Sequence, residues 1–179
     1  MTITRPEPNE CEEYYRLYID QVPEGDVLEI LEGQLATTLT VLRAIDEEQG
    51  NHRYAPGKWS IKELLGHVVD IERVFAMRAL AFARKDPGSW PGLEQDDYVD
   101  AANFDQRTVA DLACEFEHLR RSNIVLFRSF DAETALRRGL ASGLNFTVRA
   151  AVYIIAGHEL HHRRVLQEKY LDAPSPTHS

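Results

Sequence analysis

Apolar residues return every three or four positions along four long segments of this chain, and no stretch alternates convincingly at period two or sits between hairpin signals. The chain therefore reads as all-α. The first helix is expected from Asp26, an N-cap with Glu29 three residues on, to about Glu48, with Leu28, Leu31, Leu35, Leu39 and Leu42 as its stripe and Gly50 beyond its end. The second starts at Ser60, where Ser60-Ile61-Lys62-Glu63 forms a capping box and Trp59 can pack on Leu64 as a hydrophobic staple. It continues to about Lys85, just ahead of Asp86-Pro87-Gly88, which cannot extend a helix. The third is expected from about Gln106 to Ser129, with Val109, Leu112, Phe116, Leu119, Leu126, Phe127 and Phe130 on one side. The fourth runs from Thr147 to Tyr170. Residues 1–25 read as an N-terminal extension, 26–170 as the bundle, and 171–179, with Pro174 and Pro176, as a disordered tail.

Connection lengths constrain the topology. About twenty residues join the second and third helices, where neighbours in a bundle need roughly 2–8. A segment that long can run back along a helix of about 36 Å. The expected layout is a four-helix bundle with one long crossover between helices two and three. The crossover, from Asp86 to Tyr98, is rich in turn formers and acids and carries two aromatics. It either roofs a site or covers an edge of the core.

Composition narrows the partners. The 179 residues suit one domain, and 29 acidic against 20 basic side chains give a formal net charge of −9. A phosphate-backbone binder needs the opposite balance, so nucleic acid is not an expected partner. Cys11 and Cys114 lie far apart and in no CxxC pair, so neither a disulfide framework nor a cysteine metal site is indicated. Met1 to Glu10 lacks an apolar h-region and no apolar run is long enough for a bilayer, so no membrane partner and a cytoplasmic location are expected.

Three histidines carry the chemistry. In Gly157-His158-Glu159-Leu160-His161-His162, His158 and His162 are one turn apart on one helix face. With His158 as zero, Ile154, Ala151 and Val165 fall within about 40°, so both rings join the core stripe. His161 lies about 60° to the other side, at the stripe's edge, suiting a supporting or surface position. In the second helix Val74, Ile71 and Leu64 fall within about 60° of His67, which is core-facing too. If the second and fourth helices are antiparallel, His67 lies level with the His158/His162 turn. Three buried imidazoles in one apolar layer need partners for six ring nitrogens, and a metal ion meets that need with a fourth position left open. Zinc, nickel, copper and iron all accept imidazole. His118, His52 and His178 lie off the core faces or in loop and tail, and are excluded.

Other polar residues near this layer admit two readings each. His158-Glu159-x-x-His162 matches the metalloprotease helix motif, with Glu159 as general base, but Glu168 stands where a third ligand would follow and no upstream strand is indicated. Glu159, about 100° from His158, is either a base near the metal or solvated helix surface. Asp70, about 60° from His67, either orients a ligand imidazole or lies on the surface. Arg78, three turns beyond His67, either attracts a substrate carboxylate or forms an intrabundle salt bridge. Asn123, on the core face of the third helix, invites the same two readings.

Tyr54-Ala55-Pro56-Gly57-Lys58-Trp59-Ser60-Ile61-Lys62-Glu63-Leu64-Leu65-Gly66-His67, then Asp70-Ile71-Glu72 and Phe75-Ala76-Met77-Arg78, resembles the second-helix signature of the DinB-like (YfiT-like) superfamily. Pro91-Gly92-Leu93-Glu94-Gln95-Asp96-Asp97-Tyr98 and Phe146-Thr147-Val148-Arg149-Ala150, leading to the histidine run, extend the resemblance from about Asp26 to Tyr170. It implies an up-down-down-up four-helix bundle, often a homodimer, that binds a divalent metal through His67, His158 and His162. Members include transferases joining a low-molecular-weight thiol to electrophiles, a thiol-dependent isomerase, and proteins described only as metal-dependent hydrolases. The expectation is a divalent-metal protein, with zinc or nickel, acting on a small-molecule substrate as a thiol S-transferase with the thiol as cosubstrate. The alternatives are a hydrolase assisted by Glu159 or Asp70, and a non-enzymatic stress-associated metal protein.

Overall fold

The computed structural model describes residues 2–172. Its helices are α1 (Glu13–Ile19), α2 (Val27–Arg43), α3 (Glu47–Gly50), α4 (Ile61–Ala83), α5 (Gln95–Ala102), α6 (Val109–Arg128), α7 (Ala132–Ala135) and α8 (Val148–Val165). A π-helical turn, Leu166–Leu171, prolongs α8, and three short strands complete the chain: β1 (Ser89–Trp90), β2 (Arg138–Ala141) and β3 (Leu144–Thr147). Helices α2 and α4 each pack between α6 and α8, and α1 lies on the outside of α8.

Local chemistry sets the helix ends. Ser60 Oγ accepts from Glu63 N at 3.2 Å, and the Glu63 carboxylate accepts from Ser60 N at 2.6 Å, so α4 opens on the capping box its sequence spells. Thr108 and Thr147 cap α6 and α8 through backbone amides three residues on. The first helix stops at Arg43, short of the expected Glu48, because Asp46 and Gln49 form a capping box of their own and begin α3.

The all-α expectation misses a small sheet, with β1 parallel to β2 and β2 antiparallel to β3. Strands of two and four residues are too short to print an alternation that can be told from chance. The turn that makes the hairpin, Ser142-Gly143, has φ values of 56° and 72°, the positive pair that a two-residue hairpin turn requires. The crossover also contains a helix, α5, and the segment expected as an N-terminal extension contributes Ile3, Cys11, Tyr15, Ile19 and Val22 to the core. Both cysteines are free. The tail expected to be disordered lies outside the described residues from 173 onward.

The core has two apolar clusters, one around Ile71, Phe75, Phe82, Phe127 and Phe146, the other around Leu39, Leu64, Leu65, Leu112 and Phe116. Where they meet, a polar network crosses all four long helices. Fully buried Arg120 on α6 donates to both carboxylate oxygens of Glu72 on α4, each at 2.8 Å, and Asn123 adds a bond to Glu72 at 3.1 Å. Gln34 on α2 accepts from Arg120 at 3.3 Å and donates to the Ala156 carbonyl of α8 at 3.0 Å. Bidentate pairing and saturation of the surrounding donors are what make a buried ion pair tolerable.

Candidate metal centre

Helix α8 returns antiparallel to α4. Phe82 meets Phe146 edge-on at one end, with ring centroids 5.1 Å apart, and at the other the Tyr170 hydroxyl donates to the Trp59 carbonyl at 2.7 Å. The pairing brings His67 level with the turn that carries His158 and His162. Their ligand nitrogens all lie within 4.8 Å of one another, and His67 Nε2 is 3.1 Å from His158 Nε2. Ring centroids are 4.9 Å apart for His67 and His158, 4.8 Å for His67 and His162, and 4.4 Å for His158 and His162.

Burial keeps these rings neutral. It lowers His67 to about 4, and burial together with the neighbouring His67 and His161 lowers His162 to about 3. His158 is pushed well below the usual histidine value, by burial first and by His162 and His67 after it. Neutral imidazole is the form that binds a metal. The donor set also needs something: His162 Nδ1 is buried without a hydrogen-bond partner, and two Nε2 atoms face each other at 3.1 Å. Imidazole nitrogens on one zinc ion stand roughly 3.3 Å apart. The three residues fit a divalent cation.

Aromatic rings wall the cluster. Trp59 lies 4.7 Å from His67 between ring centroids, and Tyr18 lies 5.3 Å from His158 and 5.7 Å from His161. Tyr18 reaches this position because α1 touches α8 backbone to backbone at Gly157, where an added Cβ would stand 2.0 Å from the Tyr18 carbonyl oxygen. On its open side the cluster faces a cavity of about 560 Å³, lined by His67, His158, Tyr15, Tyr18 and Arg78 and by Glu94, Asp96 and Asp97 of the crossover. That volume suits a small organic ligand. Of the two roles left open for the crossover, it roofs this cavity, while Val99 and Phe104 further along are buried.

The remaining residues singled out in the sequence separate into different surroundings. Glu159 is neither beside the imidazoles nor in solvent: it is 2% exposed, accepts a hydrogen bond from Thr38 Oγ1, and lines a separate void of about 20 Å³ with Leu65, Val69 and Phe116. Burial raises its carboxyl despite Arg120 and Arg163, and its second oxygen has no partner. Asp70 turns toward α6, 3.9 Å from Arg73, with Glu115 and Arg107 as further charged neighbours, and burial raises it as well. Asn123 belongs to the Glu72 network. His161 packs edge-on to His162 at 5.0 Å.

Sequence reasoning missed Tyr15, Tyr18 and Ser142 as residues around the cavity. The signal for the tyrosines was present: Tyr14, Tyr15 and Tyr18 share one face at helical spacing, in a segment set aside as an extension.

A helical bundle with three convergent neutral imidazoles beside an open cavity is an arrangement with the donor set to hold a divalent cation. Residues 30–166 match the DinB superfamily, and the chain belongs to that superfamily. Among solved structures it is similar to YfiT from Bacillus subtilis, described as a probable metal-dependent hydrolase with an unusual four-helix bundle topology. The two are 15% identical, with a TM-score of 0.64 over 89% of this chain and 87% of the other, a likeness of fold. No curated protein matches the sequence. Among the described residues no helix is long and apolar enough to cross a membrane.

Proposed function

We propose that the protein is a divalent-metal-dependent enzyme that joins a low-molecular-weight thiol to a small electrophile, with His67, His158 and His162 as the metal ligands. The carrying observation is the convergence of three neutral donors, two of which, His67 and His158, stand on the wall of a ligand-sized cavity. A divalent cation there, zinc or nickel by donor type, supplies Lewis acidity that favours thiolate over thiol at neutral pH or lowers the pKa of water. The neutral rings contribute lone pairs and carry no charge of their own. Trp59 and Tyr18 shield them from bulk water, and the crossover confines the substrate. A thiol made acidic in this way releases its proton to solvent in the cavity, so the reaction asks for no protein base, which agrees with Glu159 and Asp70 being turned to other partners.

A hydrolase is the second reading. It is favoured by Glu94, Asp96 and Asp97, which place carboxylates on the same cavity. It also agrees with the description of the YfiT neighbour.

The test begins with elemental analysis of untagged protein purified without a nickel column. About one metal equivalent is expected in wild type and little in His162→Ala. Metal-loaded protein should then accelerate coupling of cysteine or mercaptoethanol to a chloronitrobenzene electrophile. Turnover of ester or amide substrates without thiol selects hydrolysis instead. No metal in either protein, and no uptake of added zinc or nickel, overturns both readings.

A further inference from the structure

Arg78 is 4% exposed, yet it enters no ion pair among the described residues. Its Nη2 donates to the Pro91 carbonyl at 2.8 Å and to Ser142 Oγ at 3.1 Å, and its guanidinium lies 4.9 Å from the centre of the Phe75 ring. The Tyr15 hydroxyl is a further neighbour within hydrogen-bonding reach, and no carboxylate pairs with the guanidinium among the described residues. The other deeply buried arginine, Arg120, shows how this fold neutralises such a charge, with a bidentate carboxylate supplied by Glu72. A guanidinium held inside the fold without a protein anion leaves its charge to what occupies the cavity it lines, the same cavity as that of His67 and His158.

We propose that Arg78, with Ser142 and Tyr15, forms an anion subsite at the end of the cavity remote from the histidines, and that the ligand is an elongated small molecule bearing a carboxylate there. The planar guanidinium edge matches a carboxylate in bidentate fashion. Ser142 Oγ accepts from Arg78, which leaves its own proton to donate, and the Tyr15 hydroxyl stands beside both. Ser142 stands at the left-handed hairpin turn, with φ 56°, and from there its Oγ meets Arg78 of α4. His67 and Arg78 are eleven residues apart on one helix, about 16 Å along the axis, so the two ends of the ligand must be several bonds apart. Glu94, Asp96 and Asp97 repel a dianion, which favours a single carboxylate over a phosphate. That the other end of the ligand is the reacting one rests on the function proposed above; the subsite itself rests on Arg78.

Calorimetric titration with mercaptohexanoate and mercaptohexanol separates the two claims. Zinc-loaded wild type is expected to bind the carboxylate about tenfold more tightly than the alcohol. Arg78→Met should remove that preference, and Ser142→Ala, which leaves the charge and the helix in place, should reduce it. Metal-free wild type should keep a preference for hexanoate over hexanol. The subsite is overturned if acid and alcohol bind equally or not at all, if the preference survives Arg78→Met, or, should that variant not fold, if Ser142→Ala leaves it untouched. Inorganic phosphate displacing mercaptohexanoate better than acetate does overturns the choice of a carboxylate. An intact carboxylate preference with mercaptohexanoate affinity that zinc does not raise upholds the subsite and counts against the metal-dependent function.

Discussion

Glu10 reaches from the N-terminal segment to the first turn of α8. Its carboxylate accepts from Arg149 Nε at 2.6 Å and Thr147 Oγ1 at 2.9 Å, and pairs with Arg149 Nη2. Burial acts to raise this carboxyl, but the hydrogen bonds from Arg149 and Thr147 outweigh it and hold it below the ordinary 4.5. Between the lowered folded value and 4.5 the unfolded chain binds more protons, so stability rises with pH through that window. The contribution of Glu10 is complete above 4.5 and disappears as pH falls through the folded value. Glu10→Gln is expected to cost about 1–3 kcal/mol at neutral pH and much less in acid, as read from urea midpoints in the two conditions. An equal loss at both would exclude the ion pair as the cause. The same scale shows where sequence reading succeeds and where it stops. His67, His158 and His162 were legible because their bearings on two helices are fixed by periodicity. Glu159 was not, because a bearing says what a residue faces only when the neighbours of its helix are known. Helix α8 has α1, α2 and α4 around it, so a position about 100° off one core face meets another.

At the scale of elements, stability comes from features that periodicity does not register. Arg120 and Glu72 carry the network that joins the long helices, and both sit within the apolar stripes of their helices, Arg120 about 20° from Phe127 and Glu72 about 20° from Leu65, where a pattern of apolar positions passes over a charge. Arg120→Met should destabilise the fold by about 3–5 kcal/mol in urea unfolding, because Glu72 is left charged and buried. Replacing both residues together should recover part of the loss, and a double variant no more stable than the single would argue against charge burial as the cause. Gly157 offers a second test. An alanine there meets the Tyr18 carbonyl at 2.0 Å, and a backbone atom cannot swing aside as a side chain does. Gly157→Ala should therefore lift α1 from α8 at a cost of about 1–3 kcal/mol, and proteolysis should nick the chain ahead of α2 faster than in wild type. Unchanged cleavage would mean that α1 adapts without leaving. The hairpin β2–β3 was illegible for a related reason: its strands are four residues each, and the Ser142-Gly143 turn specified it where no alternating pattern did.

At the scale of the molecule, the proposed metal site couples the two halves of the chain. His67 and His158 are 91 residues apart, so the three ligands meet only when α4 and α8 are paired. An ion that binds the folded state alone stabilises it by about 2.7 kcal/mol when free metal is a hundredfold above its dissociation constant. For a domain of this length each kcal/mol moves the melting temperature by roughly 2–4 °C, so zinc or nickel should raise it by about 5–10 °C and a chelator should reverse the shift. The increment should vanish in His67→Ala, since the folded variant offers at best the His158–His162 pair of one helix. A shift that persists in this variant would assign the stabilisation to a different site. No shift in wild type would mean that the imidazoles satisfy one another, with one Nε2 donating to the next across the 3.1 Å contact. In that case the orphaned Nδ1 of His162 would be a standing cost of the fold, and His162→Phe should stabilise the protein where a metal ligand's loss would weaken it.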